Sequence, residues 1–367
     1  MLQNIFKKHL NAQSTASVFQ TYFMGNASPQ WTASNYEQFA TEGYVKNVVA
    51  YRCIAMIARS ASFISLKCGV QNDDGNFVEN TTHKLNSLFA RPNENESFYD
   101  IMEKLYSYKL LWGNVFLRTF QGEDGNIDSI KCLRPDRVTI LSDEYGDVAG
   151  YRYKYKKVKV DFPVRGDGFC EIIHIKSFNP LNDFYGLSAM EAAKYAIDQH
   201  NESAKYAKAL LQNSARPSGA LVVNATEHNN GGRLTDDQFH KLREQLTANH
   251  SGAVNNGKPL ILEGGLDWKE MSMSPKDMDF IENKNSSARE IALAFGVPPQ
   301  LLGIPGDNTY SNMSQARLAL WEQTIIPLMQ DVTKTLERAF GNILQEDELV
   351  IKFNKTQISD ISQKDLS

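Results

Sequence analysis

The sequence contains no Cys-x-x-Cys pair, no His-Glu-x-x-His, no Gly-x-Ser-x-Gly and no run approaching the ~20 apolar residues of a membrane span. Each absence removes a class of protein. The four cysteines, Cys53, Cys68, Cys132 and Cys170, are scattered through apolar or strand-like contexts. Zinc ligation is therefore not suggested, and buried free thiols in a reducing compartment are the expectation. Seven histidines form no metal-binding pair. His174 alternates with Ile173 and Ile175 along a strand, where a hydrogen-bonded structural imidazole is the simpler reading than a catalytic one. No catalytic residue, metal or cofactor is expected. The leading MLQNIFKKHLNAQS has too short an apolar run for a secretion signal, so the chain is expected to be made and kept in the cytoplasm, off the membrane. An excess of one charge is also missing, since 39 basic and 43 acidic residues leave a net charge of -4.

At 367 residues the chain is long enough for about two or three modules with an ample core. Residues 1–40 are polar and rich in Asn, Gln, Ser and Thr, which reads as a flexible arm. Residues 42–63 read as a helix with Val45, Val48, Val49, Cys53, Met56 and Ile57 on one side. A hairpin follows at 64–71, turning through 73–76. Ser97 with Asp100 three residues on starts a second helix, whose stripe is Ile101, Leu105, Tyr108 and Trp112 up to Gly113. Strand-rich chain then covers 115–121, 130–133, 138–142, 151–160 and 171–176. A long helix is predicted over 188–214, crowded with alanines that allow close helix approach. The insert at 216–272 reads as strands 219–224, 259–263 and 268–271 around a helix at 235–248.

Residues 291–312, IALAFGVPPQLLGIPGDNTYSN, carry the most deliberate punctuation. Ser274, Pro275 and Asp277 form a helix start, Ala288, Ile291 and Phe295 recur at helical spacing, and Gly296 offers a left-handed cap. Val297 before two prolines is pushed out of the helical region. After the loop, a second helix capped by Ser311 or Asn312 carries Ala316, Leu320, Ile325, Leu328, Val332, Leu336 and Phe340 up to Gly341. Pro327 lies inside it and predicts a kink.

Two other stretches hint at chemistry. GAVNNGKP at 252–259 matches the first seven positions of a phosphate-cradling loop, but Pro259 replaces the magnesium-binding hydroxyl and would stop a helix, and a helix precedes the loop where a strand is required. YRYKYKKVKV at 151–160 interleaves aromatics and cations, a pattern that can bind single-stranded nucleic acid. Period-two alternation gives the favoured account, with Tyr151, Tyr153 and Tyr155 packed inward and Arg152, Lys154 and Lys156 facing water or a neighbouring subunit.

The order helix, FGVPPQLLG, loop ending TYSN, then a helix containing WEQTIIPL closely resembles the phage portal proteins of the HK97 family. Pieces at 47–62 (NVVAYRCIAMIARSAS), 111–117 (LWGNVFL), 133–138 (LRPDRV), 172–175 (IIHI), 185–190 (YGLSAM) and 216–221 (RPSGAL) fit the same pattern, so the resemblance runs from about residue 44 to 340. It implies an α+β portal-type subunit: a flexible arm at 1–40, a mixed α/β wing at 41–187, stem helices at 188–215 and 273–296, and a small α/β clip at 216–272. A tunnel loop at 297–312, a kinked wing helix at 313–341 and a C-terminal segment at 342–367, with a crown short, absent or truncated, complete it. It further implies a homo-oligomeric ring, dodecameric in the family, at a capsid vertex. Double-stranded DNA would pass through the ring without sequence-specific contact, the terminase large subunit and then a head-tail connector would dock, and the major capsid protein would surround it. The near-neutral charge suits such a conduit better than a clamp, because tight phosphate binding would arrest sliding. Loop residues Gly303, Gly306, Asp307, Asn308, Thr309, Tyr310, Ser311 and Asn312 would face the DNA, and Lys284 and Arg289 could touch phosphates transiently. The competing expectations are a nucleotide-processing enzyme using the 252–259 loop, and a capsid or collar protein with no DNA path.

Overall fold

Asn47 decides where the first long helix begins. In the computed structural model, which describes residues 31–72, 74, 76–123, 125–166, 168–212, 219–223, 237, 240–241, 244, 266–270, 280–304, 310–354 and 357–358, its Oδ1 accepts the Val49 and Ala50 amides at 3.1 and 3.0 Å. That satisfies two orphan donors of helix α1 (Val48–Phe63). The expected single helix over 42–63 is thereby split. Ahead of the cap, a helical turn at Tyr36–Gln38 runs into a π-helix, Phe39–Val45, with Phe39 buried, so residues 36–40 of the stretch expected to be a flexible arm are helical, and residues 1–30 of it lie outside the described residues. The wide turn and the new cap reset the helical phase. Val45 and Val48, expected in the buried stripe, are 76% and 69% exposed, while Ala50, Cys53, Ile54, Ile57 and Ala61 form the inward face.

Helix α2 (Lys84–Ala90) leads to α3 (Phe98–Trp112), where Ser97 and Asp100 complete the predicted capping box and Gly113, at φ 73°, ends the helix in the left-handed region. Eight strands follow the expected order: β1 (Leu66–Gln71), β2 (Phe77–Glu79), β3 (Asn114–Gln121), β4 (Ile127–Leu133), β5 (Val138–Ser142), β6 (Val148–Tyr155), β7 (Val158–Pro163) and β8 (Ile172–Lys176). YRYKYKKVKV is not one strand. Its centre turns at Lys156 and Lys157, giving the β6–β7 hairpin in which Tyr155 pairs with Val158. The sheets are all antiparallel, in the orders β4-β3-β8 and β5-β6-β7. β3 is buried on both faces because alternate side chains serve different layers: Val115 and Leu117 join the main core, while Phe116 joins Tyr151, Phe162, Leu133, Val138 and Ile172 in a second one. Burial of those six contributes on the order of 10 kcal/mol gross, enough to fasten β5-β6-β7 to the body.

Helices α4 (Ala189–Gln212) and α5 (Phe280–Ala294) pack along one another. Of the insert between them, β9 (Gly219–Val223) and β10 (Leu266–Glu270) form an antiparallel pair. The loop resembling a phosphate cradle at 252–259, the expected strand at 259–263 and the helix start at Ser274 lie outside the described residues. Helix α6 (Tyr310–Leu320) runs without interruption through a π-helical turn, Trp321–Ile325, into α7 (Ile326–Leu344). The Ile326 amide bonds to the Trp321 carbonyl five residues back, immediately before Pro327, which has no amide and crowds the carbonyl four residues back. The irregularity predicted from Pro327 is thus a π-bulge. Two end points move. Ser311 and Asn312 lie inside the first turn of α6, because the helix begins at Tyr310, and α7 passes through buried Gly341 to end at Gln345, φ 57°. The chain then returns as β11 (Val350–Phe353) to extend a sheet of order β11-β1-β2, with Leu66 opposite Phe353. The described part of the C-terminal segment therefore closes the core beside the first strand.

Candidate functional site

The corner between α5 and the loop is built as the sequence suggests. α5 buries Ala288, Ile291, Ala292 and Phe295, and Gly296 stands at φ 67°. The Gly296 amide bonds to the Leu293 carbonyl at 3.0 Å and the Val297 amide to the Ala292 carbonyl at 2.9 Å, the paired bonds of a Schellman ending with Val297 buried beneath it. Pro298 turns the chain into extended backbone, Pro299–Leu302 form a 3-10 turn, and Gly303 closes that turn at φ 70°. Ile304 is then 9% exposed, so the loop leaves a strut pinned at Val297 and again at Ile304.

Of the eight loop residues singled out from sequence, Gly303 sits on this pinned strut. Gly306, Asp307, Asn308 and Thr309 lie outside the described residues, and Tyr310, Ser311 and Asn312 form the first turn of α6. Periodicity did not reveal one further residue, Thr324. It lies in the π-helical turn, and its Oγ1 donates to the Gly296 carbonyl at 2.6 Å. The end of α5 and the widened turn of the long helix are joined by one hydroxyl. Pro327 signalled an irregular helix there, but nothing local indicated which distant carbonyl the freed geometry would meet.

Lys284 and Arg289 are both exposed on α5. Five residues at ~100° each place them about 140° apart around the helix, so they do not share a face. Arg289 lines up instead with Glu282, Ser286 and Leu293, and Leu293 is 79% exposed, an apolar side chain left facing outward beside the loop. Lys284 belongs to the α4 side. Burial, and secondarily the Lys284 charge, push the His200 imidazole below its usual pKa. Asn47, whose Oδ1 is committed to the α1 cap, donates through Nδ2 to His200 Nδ1 at 3.2 Å and to Asn201 Oδ1 at 3.0 Å. Asn201 in turn donates to the Glu42 carbonyl at 3.0 Å, so this network ties the first half of α4 to the body.

The second half of α4 differs. Residues 204–208 are exposed, including Ala204 and Ala207, while Met190, Ala193, Ala196 and Ile197 in the first half are buried. Ala204 and Ala207 therefore present small side chains outward on this half of the helix.

A third constellation is structural. Asn114 is buried, accepts from the Gly186 amide at 2.7 Å and from His174 Nε2 at 3.1 Å, and donates to the Trp112 and Gly186 carbonyls. Since Asn114 Nδ2 is used on carbonyls, its Oδ1 must accept, and His174 carries its proton on Nε2. The imidazole stacks on Phe116 at 4.5 Å, and burial first, then the charges of Lys176 and Lys109, push its pKa down to about 3. A neutral, stacked, hydrogen-bonded ring is a core element, as the alternation along β8 suggested. Burial likewise pushes Cys53, Cys68 and Cys132 up to about 12, so these are inert thiols.

Among the described residues no three His, Cys, Asp or Glu side chains converge to hold a metal, and no helix is long and apolar enough to cross a membrane. A cavity of about 730 Å³ lies between α7 and the β11-β1-β2 sheet, lined by Phe77, Phe353, Ile351 and Lys334, away from the loop corner.

Comparison with known proteins identifies the family. The family described as phage portal protein matches residues 48–366. An uncharacterised protein of Rickettsia bellii is 44% identical over 88% of this chain and 81% of its own length. A chain from the neck of an empty gene transfer agent particle, computed with C6 symmetry, superposes with a TM-score of 0.70 at 36% identity, covering 93% of this chain and 90% of that one. The crystal structure of an HK97 family phage portal protein from Corynebacterium diphtheriae superposes with a TM-score of 0.64 at 14% identity, covering 91% and 99%, a likeness of fold alone.

Proposed function

This chain belongs to the phage portal protein family, a structural family of the capsid vertex, and from that premise we propose that about twelve copies form a ring through which double-stranded DNA is packaged, retained and released. The observation that carries the reading is the pair α4 and α5. Tied to the body as far as its midpoint by the Asn47–His200–Asn201 network and beyond it carrying exposed alanines, it is a two-helix stem whose outer surface is finished only by neighbouring stems. A chain from the neck of a native gene transfer agent particle computed with C12 symmetry is similar to 93% of this chain, which supports the copy number.

In this reading the insert that holds β9 and β10, at 216–272, is the clip on which the terminase large subunit docks and later the head-tail connector. Residues 41–187 are the wing facing the major capsid protein, and 305–309 are the tip of the tunnel loop. Gly303 and the Gly296–Thr324 bond fasten the loop's root with one adjustable contact while its tip bears on the DNA. Arg289 and Leu293 sit on the α5 face next to that root, and Lys284 reaches phosphate only from the α4 side. The work is mechanical guidance, and the modest net charge of -4 keeps it from becoming retention by phosphate binding. Assembly takes place in the host cytoplasm before the ring is built into the particle.

Deletion of residues 306–309 is expected to leave rings with a central opening intact in negative-stain images while impairing DNA retention in assembled particles. Normal genome filling and retention by that variant would remove the tunnel-loop role.

A further inference from the structure

The sheet β5-β6-β7 has opposite charges at its two ends. At one end the β6–β7 hairpin presents Lys154, Lys156, Lys157 and Lys159, all exposed, around Tyr155, Val158 and Val160, which are 45%, 62% and 40% exposed. At the other, the β5–β6 turn presents Asp143, Glu144 and Asp147 around Tyr145, which is 83% exposed. The eight residues of β6 separate these ends by about 25 Å. Asp143 braces its turn by accepting the Tyr145 and Asp147 amides, which leaves Glu144 and Asp147 pointing outward. The basic tip is held at a cost. Lys156 occupies the left-handed region at φ 51°, where glycine would sit without the roughly 1 kcal/mol penalty of a side chain. Among the described residues, none of Lys154, Lys156 and Lys157, nor Glu144 and Asp147, makes an ion pair.

We infer that the basic hairpin of one subunit docks on the acidic β5–β6 turn of the next subunit in the ring. This rests on the ring reading above and deepens it by naming the contact. Two different, complementary patches on opposite ends of one rigid sheet make a head-to-tail interface, the kind that closes into a ring and leaves no end unpaired. Exposed tyrosine and valine side chains among the charges fit a protein surface, since interface centres are enriched in aromatics and phosphates have no use for valine. Lysines flanking Tyr145 also gain its ring face.

Charge reversal tests this in the full chain. Lys156→Glu with Lys157→Glu cancels the hairpin's net positive charge and sets two carboxylates at its tip against the acidic turn, and Glu144→Lys with Asp147→Lys makes the turn net positive against the basic hairpin. Each variant alone is expected to need at least a tenfold higher concentration than wild type for half its chains to sediment as rings, with an unchanged melting temperature. Mixed in equal amounts, the two should form rings again, because each reversed tip then meets a reversed partner in strict alternation, and the fourfold variant carrying all four changes should form rings alone. Unaltered ring formation by either variant, or no recovery on mixing, overturns the contact. Loss of duplex DNA binding by the lysine variant with its rings intact would assign the hairpin to nucleic acid and overturn it equally. Wild-type chains that form no ring at any concentration would sink the portal reading itself, a distinguishable failure.

Discussion

Helices α3 and α5 both end on a glycine near φ 70°, Gly113 and Gly296, and the two corners are held in opposite ways. At Gly113 the neighbour is backbone: a methyl group there would lie 2.6 Å from the Gly186 carbonyl oxygen, and one on Gly186 would lie 2.2 Å from the Gly113 oxygen and 2.6 Å from the Ser177 amide. At Gly296 the neighbour is a side chain, Thr324 Oγ1, at the same 2.6 Å. The first corner also carries the buried Asn114 with its four hydrogen bonds and the stacked, partly buried His174. The second carries one hydroxyl bond, next to a π-bulge and a loop. Backbone pressed on backbone has no means of yielding, whereas a threonine rotamer does, so the wing corner is a fixed joint and the loop corner an adjustable one.

The sharpest way to break that contrast is Gly186→Ala. Its methyl group meets three backbone atoms at once, and a loss of about 3 kcal/mol or more is expected, read as a drop in melting temperature together with reduced soluble yield. A melting curve close to wild type would mean the wing corner can yield after all.

Acid loosens the same corner more gently. His174 has a folded pKa of about 3, below the ordinary value of 6.5, so folding excludes a proton; the stability it supports is complete above about pH 6.5 and falls as pH drops toward the folded value. Between pH 6.5 and about 4.5 this amounts to roughly 2–3 kcal/mol. Comparing wild type with His174→Gln across that range isolates the imidazole from the carboxylates, which titrate in both. The variant should show the shallower loss, and parallel curves would count against a buried neutral ring.

The smallest effect belongs to the loop corner. Thr324→Val removes the bond to the Gly296 carbonyl and should cost about 1 kcal/mol in stability while leaving ring formation unchanged. Proteolysis within the loop should nonetheless become faster, because its root has lost one of its fixings. Slower or unchanged cleavage would show that Val297 and Ile304 alone hold the strut.

Much of this was legible in order along the chain, because the signals are local. Ser97 with Asp100, Gly113, the Gly296 cap and the proline in the long helix each act through backbone within a few residues, so their reading survives folding. The helix beginning at Asn47 shows where local reading falters: Val45 and Val48 continue the apolar spacing, yet a cap and a π-turn shift the phase and put both in water. The hairpin at Lys156 was hidden for a similar reason, since a lysine pair carries none of the glycine or asparagine that usually announces a two-residue turn.

What the sequence settled by itself, then, is the order of the long described helices, most described strands and the family to which the chain belongs, since capping, periodicity and motif order need no knowledge of distant partners, whereas the short helix Lys84–Ala90 gave no such signal. Tertiary structure alone decided which pieces meet. LWGNVFL and YGLSAM, read as separate fragments some seventy residues apart, become one joint when Asn114 bonds Gly186. The last strand closes against the first, and Thr324 finds Gly296. Such meetings depend on where buried polar groups can find partners once the core excludes water, and that choice is made by the whole chain at once.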